Sequence, residues 1–186
     1  MQFKLKSEQK KLLTGLGNPG KEYDGTRHNA GFLFLDFVTE FYELAEKQSK
    51  TESTALGELT YYPGLQLYLL KPATYMNLSG KAVAETIKYN NIGAEQLLLV
   101  HDDLDVMLGK YKLQLAKSPR EHKGVLSVEQ TLGIINFWRL RIGIDNRTER
   151  RMTGEDYVLG KFTPEELQIL RTTFTEIVKT NFVSPD

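Results

Sequence analysis

The stretch from Leu12 to Gly31, LLTGLGNPGKEYDGTRHNAG, constrains this chain more than any other part of it. The apolar run Leu12 to Leu16 reads as a buried strand, a loop with Gly15, Gly17, Pro19, Gly20 and Gly25 follows, and the polar cluster Thr26-Arg27-His28-Asn29 opens a helix. Strand, glycine loop and helix start in that order form the first unit of an open α/β sheet. The strand's carboxyl end meets the helix's amino end there, so backbone N–H groups and polar side chains converge on one crevice.

Two nucleotide-binding patterns touch this loop and fail on context. Gly15-Leu16-Gly17-Asn18-Pro19-Gly20 matches GxGxxG, but the dinucleotide motif needs a helix starting within the glycines and an acidic residue ending a second strand about 20 residues on. Here another loop intervenes and the later region is helical. Gly15 to Lys21 nearly completes a P-loop, yet Glu22 stands where a magnesium-binding Ser or Thr belongs.

Further along, Phe34, Phe37, Val38, Phe41 and Leu44 fall at helical spacing, predicting a helix from about Asn29 to Lys47. Strands are expected at Ala55 to Tyr62 and Leu65 to Lys71, joined by Pro63-Gly64, and a helix from Ser79 to Tyr89 with Ser79 as its N-cap. The apolar run Gln96 to Val100 reads as a central strand covered on both faces and ending in His101-Asp102-Asp103. A strand from Gly109 to Leu115, a charged loop from Ala116 to Lys123, a helix from Val125 to Leu132 and a strand from Phe137 to Ile144 come next. Asp145 to Asp156 reads as a mobile charged loop. Thr163-Pro164-Glu165-Glu166 then opens a last helix with N-cap, N1 proline and acidic first turn in place. Alternating strands and helices predict one α/β domain, a mixed, mostly parallel twisted sheet with helices on both faces. Residues 1–10 are expected to be a flexible extension and 11–186 the domain.

Composition narrows the function classes. With 24 basic and 24 acidic residues the formal charge cancels, so any nucleic-acid contact must come from one face rather than the whole surface. The absence of cysteine removes disulfides, thiolate nucleophiles and zinc-thiolate sites, and suits a reducing compartment. No apolar run reaches membrane-spanning length, and Met1 to Lys11 lacks the core of a secretory signal, so the expected setting is the cytoplasm.

Polar groups at strand and loop ends mark the chemistry: Asn18 and His28 in the first crevice, Asn77 after Tyr75-Met76, and Asp102 at the end of the buried strand. A histidine beside a carboxylate is held in one tautomer, leaving its other nitrogen free to take a proton from water near neutral pH. An asparagine amide both donates and accepts, which suits a peptide backbone. Each residue also has a plainer reading, His28 as a helix-start cap and the asparagines as turn residues. Asp102, Asp103 and Asp105 offer alternate oxygens to a hard cation, but a calcium loop's glycine and closing glutamate are missing. Ser79 lacks the GxSxG elbow of an esterase nucleophile.

GLGNPG with Tyr23 and Thr26 to Gly31, KPATYMNLSGKAV from Lys71, HDDLD from His101, RLRIGI from Arg139 and DYVLGKF from Asp156 together resemble the bacterial peptidyl-tRNA hydrolase family. The match runs in one order from about Leu12 to Glu166. The resemblance implies hydrolysis of the ester joining a peptide to the 3′ ribose of tRNA, without metal or cofactor, by a monomer that recycles tRNA from aborted translation. By this likeness His28 is the general base and Asp102 stabilises its reactive form, while Asn18 senses the peptide's first amide and Asn77 positions the substrate. Tyr23 and Tyr75 line the cleft, Met76 adds an apolar wall, and Lys112 and Arg141 lie toward tRNA phosphates.

The chain departs from the family pattern at two places. Ser118-Pro119-Arg120-Glu121-His122-Lys123-Gly124 replaces a glycine-rich run, and Lys123 stands where the family has a substrate-binding asparagine. An ammonium donates but cannot accept, so a water-orienting role needing both is lost. The last helix also breaks off near Thr180, short of the family's closing segment. The alternative these departures leave is a weak or inactive paralogue that binds RNA or a partner.

Overall fold

In a computed structural model, residues 9–45, 48–117, 121–147 and 152–182 are described. The strands are β1 (Lys11–Gly15), β2 (Lys50–Thr54), β3 (Gly57–Tyr62), β4 (Leu67–Pro72), β5 (Leu97–Met107), β6 (Tyr111–Leu115) and β7 (Trp138–Asp145). The helices are α1 (Ala30–Ala45), α2 (Ser79–Asn90), α3 (Lys123–Leu132), α4 (Gly154–Leu159) and α5 (Pro164–Asn181). One seven-stranded sheet has the order β2-β3-β4-β1-β5-β7-β6. Its centre, β4-β1-β5-β7, is parallel, and β3, β2 and β6 add antiparallel at the two flanks.

Alternate residues of the central strands face opposite helical layers, as the period of two requires. Leu13, Leu98, Val100, Leu140 and Ile142 pack with Phe34 and Val38 of α1 and Phe174 and Ile177 of α5. Leu12, Leu97, Leu99 and Leu70 pack on the other face with Ala82 and Val83 of α2 and Val125 and Val128 of α3. Residues 12–15 of β1 and 97–100 of β5 are therefore buried on both faces, which explains their uninterrupted apolar runs.

Several elements differ from the sequence expectation. β5 does not end at Val100: its pairing with β7 continues through Asp102 and Asp103, so both acids lie within the sheet rather than beyond it. β2 is polar and fully exposed, with no apolar alternation to announce it, and exists through its pairing with β3. α4 occupies part of the expected charged loop, capped by the Thr153 side chain accepting from Asp156 N–H, while 148–151 lie outside the described residues. Asp145 and Asn146 are also held, since Asn146 N–H donates to the Tyr157 hydroxyl at 3.1 Å. Ser79 is not an N-cap. Leu78 takes that position without a side-chain bond, and the Ser79 hydroxyl donates to Met76 C=O at 3.0 Å. Most of the expected extension, 1–8, lies outside the described residues, but Lys10 is tied to Asn90 C=O at 2.8 Å.

The start of α5 is built as its sequence foretold. Thr163 accepts from Glu166 N–H, and the Glu166 carboxylate accepts from Thr163 N–H, a reciprocal capping box. Glu166 does a second job, accepting from the Arg27 guanidinium through both oxygens at 2.9 and 3.1 Å. Arg27 lies over the Tyr157 ring, 4.2 Å from its centroid. Glu166→Ala strands this guanidinium and the cap together, so it should cost about 3 kcal/mol, against about 1 kcal/mol for Thr163→Ala. Urea unfolding of both variants checks the order.

Candidate active site

Two glycines let the first crevice close. A Cβ on Gly31 would collide with the backbone of Leu16 and the carbonyl of Val100, and one on Gly15 would collide with Gly31 C=O. The start of α1 can thus lie directly on the ends of β1 and β5. A short 3₁₀ turn, Arg27–Asn29, leads into α1 and carries His28 to the edge of β5. The turn is sewn to the segment after α4 by Arg27 N–H to Gly160 C=O at 3.0 Å and Phe162 N–H to Gly25 C=O at 2.9 Å.

At this edge His28 Nδ1 lies 2.9 Å from Asp102 Oδ1. His122 Nε2 lies 3.0 Å from the same oxygen. The cap of α3 settles the tautomer of His122, because its Nδ1 accepts from Gly124 N–H and Val125 N–H at 3.2 and 3.3 Å. A nitrogen that accepts carries no proton, so Nε2–H is the donor to Asp102. His28 likewise donates Nδ1–H, leaving the Nε2 lone pair on the far side of its ring. Among the described residues, that atom has no protein partner.

Burial alone would disfavour the charged imidazolium of His28, but the Asp102 carboxylate outweighs it, and the pKa is raised above its ordinary 6.5. Burial would likewise push Asp102 up; the two histidines facing it instead hold it far below the usual carboxylate range. His101 is fully buried and packs edge-on against the His122 ring, with centroids 4.8 Å apart. Burial, followed by the neighbouring His122, pushes its pKa down to about 3, so it stays neutral within the core.

Asn18 is held on three sides. Its N–H donates to Asn29 Oδ1 at 2.9 Å, its C=O accepts from Asn29 Nδ2 at 3.0 Å, and its own Oδ1 accepts from Met76 N–H at 2.8 Å. With Oδ1 engaged, the amide Nδ2–H₂ is what Asn18 presents to the crevice. Met76 is buried against Gly124, whose Cβ would strike its sulfur. Tyr23 is half-buried, while Tyr75 and Asn77 are exposed at the rim on either side of Met76. Lys123, the first residue of α3, donates to Glu155 Oε1 at 2.6 Å.

The expected site residues are not all brought together. Arg141 does not face solvent: its Nε donates to Asp103 Oδ2 at 2.6 Å and its Nη1 to Gln114 at 2.9 Å, with the side chain only 7% accessible. A guanidinium committed in this way is part of the sheet, since both partners lie on the strands flanking β7. Lys112, its cross-strand partner on the flanking β6, is exposed. Sequence reasoning noticed His122 without its second hold on Asp102, and missed Asn29 as the clamp on Asn18. A polar residue just before a helix was the available signal for His122. The loop expected to take a different path lies outside the described residues at 118–120.

The three facing atoms of His28, Asp102 and His122 lie within 4.8 Å of one another, close enough to consider a metal. Their donor set argues against one: both nitrogens carry the protons given to Asp102, and His122 Nδ1 is occupied by the cap. Asp103 is engaged by Arg141 and Asp105 N–H, so the run of acids does not converge on a cation either.

An open α/β sheet whose crevice holds a carboxylate-gripped imidazole beside an asparagine amide has the parts of a hydrolase site. Within that class, the chain belongs to the peptidyl-tRNA hydrolase family, whose model matches residues 12–183. It is 42% identical over 161 residues to the peptidyl-tRNA hydrolase of Lactiplantibacillus plantarum, covering 84% of this chain and 83% of that one. The Geotalea daltonii peptidyl-tRNA hydrolase is 43% identical over 162 residues, with 86% and 82% covered. Among solved structures, the peptidyl-tRNA hydrolase of Acinetobacter baumannii superposes with a TM-score of 0.79 at 31% identity, covering 93% of this chain and 88% of that one.

In Asp102→Asn the carboxylate's pull is gone while burial remains, so His28 should titrate at lower pH than in the parent protein. An NMR titration of the ring protons reads this directly, and an unmoved midpoint would place the cause of the raised value elsewhere.

Proposed function

We propose that this protein hydrolyses the ester between a peptide, or an N-blocked amino acid, and the 3′ ribose of tRNA, with His28 as the general base. The observation that carries the reading is the Asp102 oxygen 2.9 Å from His28 Nδ1, which leaves Nε2 to the crevice. Nε2 takes a proton from water, and the resulting hydroxide adds to the ester carbonyl. The imidazolium that forms is stabilised by Asp102 and returns its proton to the departing ribose oxygen, giving a peptide carboxylate and a tRNA with a free 3′ hydroxyl. Asn18, with its oxygen taken by Met76 N–H, offers Nδ2–H to a carbonyl oxygen, so it reads the peptide through its C=O more directly than through its N–H. An amide donor of this kind aimed at a developing oxyanion contributes roughly 10²–10³-fold.

Asn77 positions the acceptor end, Tyr23 and Tyr75 flank the terminal adenosine, Met76 supplies the apolar floor, and Lys123 meets the substrate at the rim. Lys112 takes the role expected jointly of Lys112 and Arg141, since it alone of the two is exposed. The cysteine-free composition supports a cytoplasmic setting, and no helix among the described residues is long and apolar enough to cross a membrane. We read the working form as a monomer acting without metal or cofactor. The alternative of an inactive RNA-binding relative is not favoured, because the imidazole and its carboxylate are engaged despite Lys123.

Release of the acyl group from N-blocked aminoacyl-tRNA by the purified protein tests the activity. His28→Ala should slow it by about 10²–10⁴-fold while tRNA binding survives; full activity in that variant refutes the base. Lys112→Ala should flatten the log–log dependence of tRNA binding on salt by about one unit, whereas a change at buried Arg141 should show mainly in stability.

A further inference from the structure

The Lys123–Glu155 ion pair joins the first turn of α3 to the first turn of α4. Its side chains are 62% and 68% accessible, and pairs so exposed contribute little to stability. Its location is more informative than its strength. Lys123 directly follows His122, whose ring centroid is 4.9 Å from that of His28. α4 packs against the turn that carries His28. The pair therefore sits at the rim beside the base, one charge contributed from each side.

The charged and titratable groups around His28 can be named element by element. Asp102 comes from β5, His122 and Lys123 from α3, and Glu155 from α4. On its own turn, Arg27 is neutralised by Glu166. On α4, Asp156 is held by the Thr153 hydroxyl at 2.6 Å. Asp103 is neutralised by Arg141. Lys123 and Glu155 are thus the outer charges that bear on the imidazole, and they bear on it with opposite sign. A lone ammonium at this rim would resist protonation of the base.

We propose that Glu155 is a positioning residue for catalysis: it holds the Lys123 ammonium at the rim of the crevice and cancels the field that this cation would otherwise impose on His28. The inference rests on His28 being the base. Its mark is opposite effects from the two partners, which a merely structural tie would not produce.

The test is an NMR titration of His28 in the free protein, in Glu155→Gln, Lys123→Met and the double variant. With three histidines in the chain, the His28 signal is assigned by its loss in His28→Ala. Glu155→Gln should move the midpoint to lower pH, Lys123→Met to higher pH, and the double variant back toward the parent. On the acid limb of kcat/KM, this appears as a roughly two- to threefold gain for Glu155→Gln and a similar loss for Lys123→Met, as expected for one unit charge at solvent-exposed range. Raising the ionic strength to about 0.5 M should shrink both shifts, since the Debye length falls to roughly 4 Å. Shifts of the same sign, or none, overturn the proposal. Because the titration needs no substrate, shifted midpoints with an unchanged acid limb would instead discard His28 as the base.

Discussion

One carboxylate oxygen, Asp102 Oδ1, takes hydrogen bonds from two imidazoles, and the crevice is arranged to make this possible. An ionised carboxylate out of water is costly unless its charge is met by well-aimed donors. Here β5 carries the acid into the sheet, the cap of α3 forces His122 to donate, and the turn before α1 brings His28 to the same atom. Removing any one of these elements leaves a buried charge short of a partner. The chemistry and the local stability therefore draw on the same contact.

Around that contact, the chain uses rigid and economical supports. Asn29, beside His28 in sequence, grips both backbone groups of Asn18, so the Asn18 amide and the imidazole are placed by neighbouring residues. Met76 N–H fixes which end of the Asn18 amide is engaged within the protein. The imidazole and the amide are thus oriented by hydrogen bonds, whereas Tyr75 and Asn77 at the rim are exposed. This division between held interior and open rim suits a substrate whose reacting bond is small and whose body is large.

Much of this was legible in the letters. The apolar runs of β1 and β5, the glycine loop and the cap of α5 have strong local signals, and the sheet follows from them. Asp102 stood out at the end of an apolar run and His28 at a helix start beside the glycine loop, and the family resemblance paired the two. Other features have no local signature. β2 forms only because β3 offers it hydrogen bonds, and polar residues after Val100 masked the continuation of β5. Arg141 was expected toward tRNA phosphates from the family resemblance; its neutralisation by Asp103, 38 positions earlier, is a matter of register. The same holds for Lys123 and Glu155, joined across 32 positions by a side-chain ion pair between two helix starts.

The clamp between Arg27 and Glu166 has a consequence for how the protein is born. The turn that carries His28 is translated 139 residues before its anchor, Glu166 at the head of α5. Domains emerge amino end first, so a nascent copy carries the imidazole long before the residue that steadies its turn. Throughout that interval the growing chain is itself a peptide esterified to tRNA. The long-range clamp leaves the ester-cleaving crevice unsteadied until the head of α5 has been made.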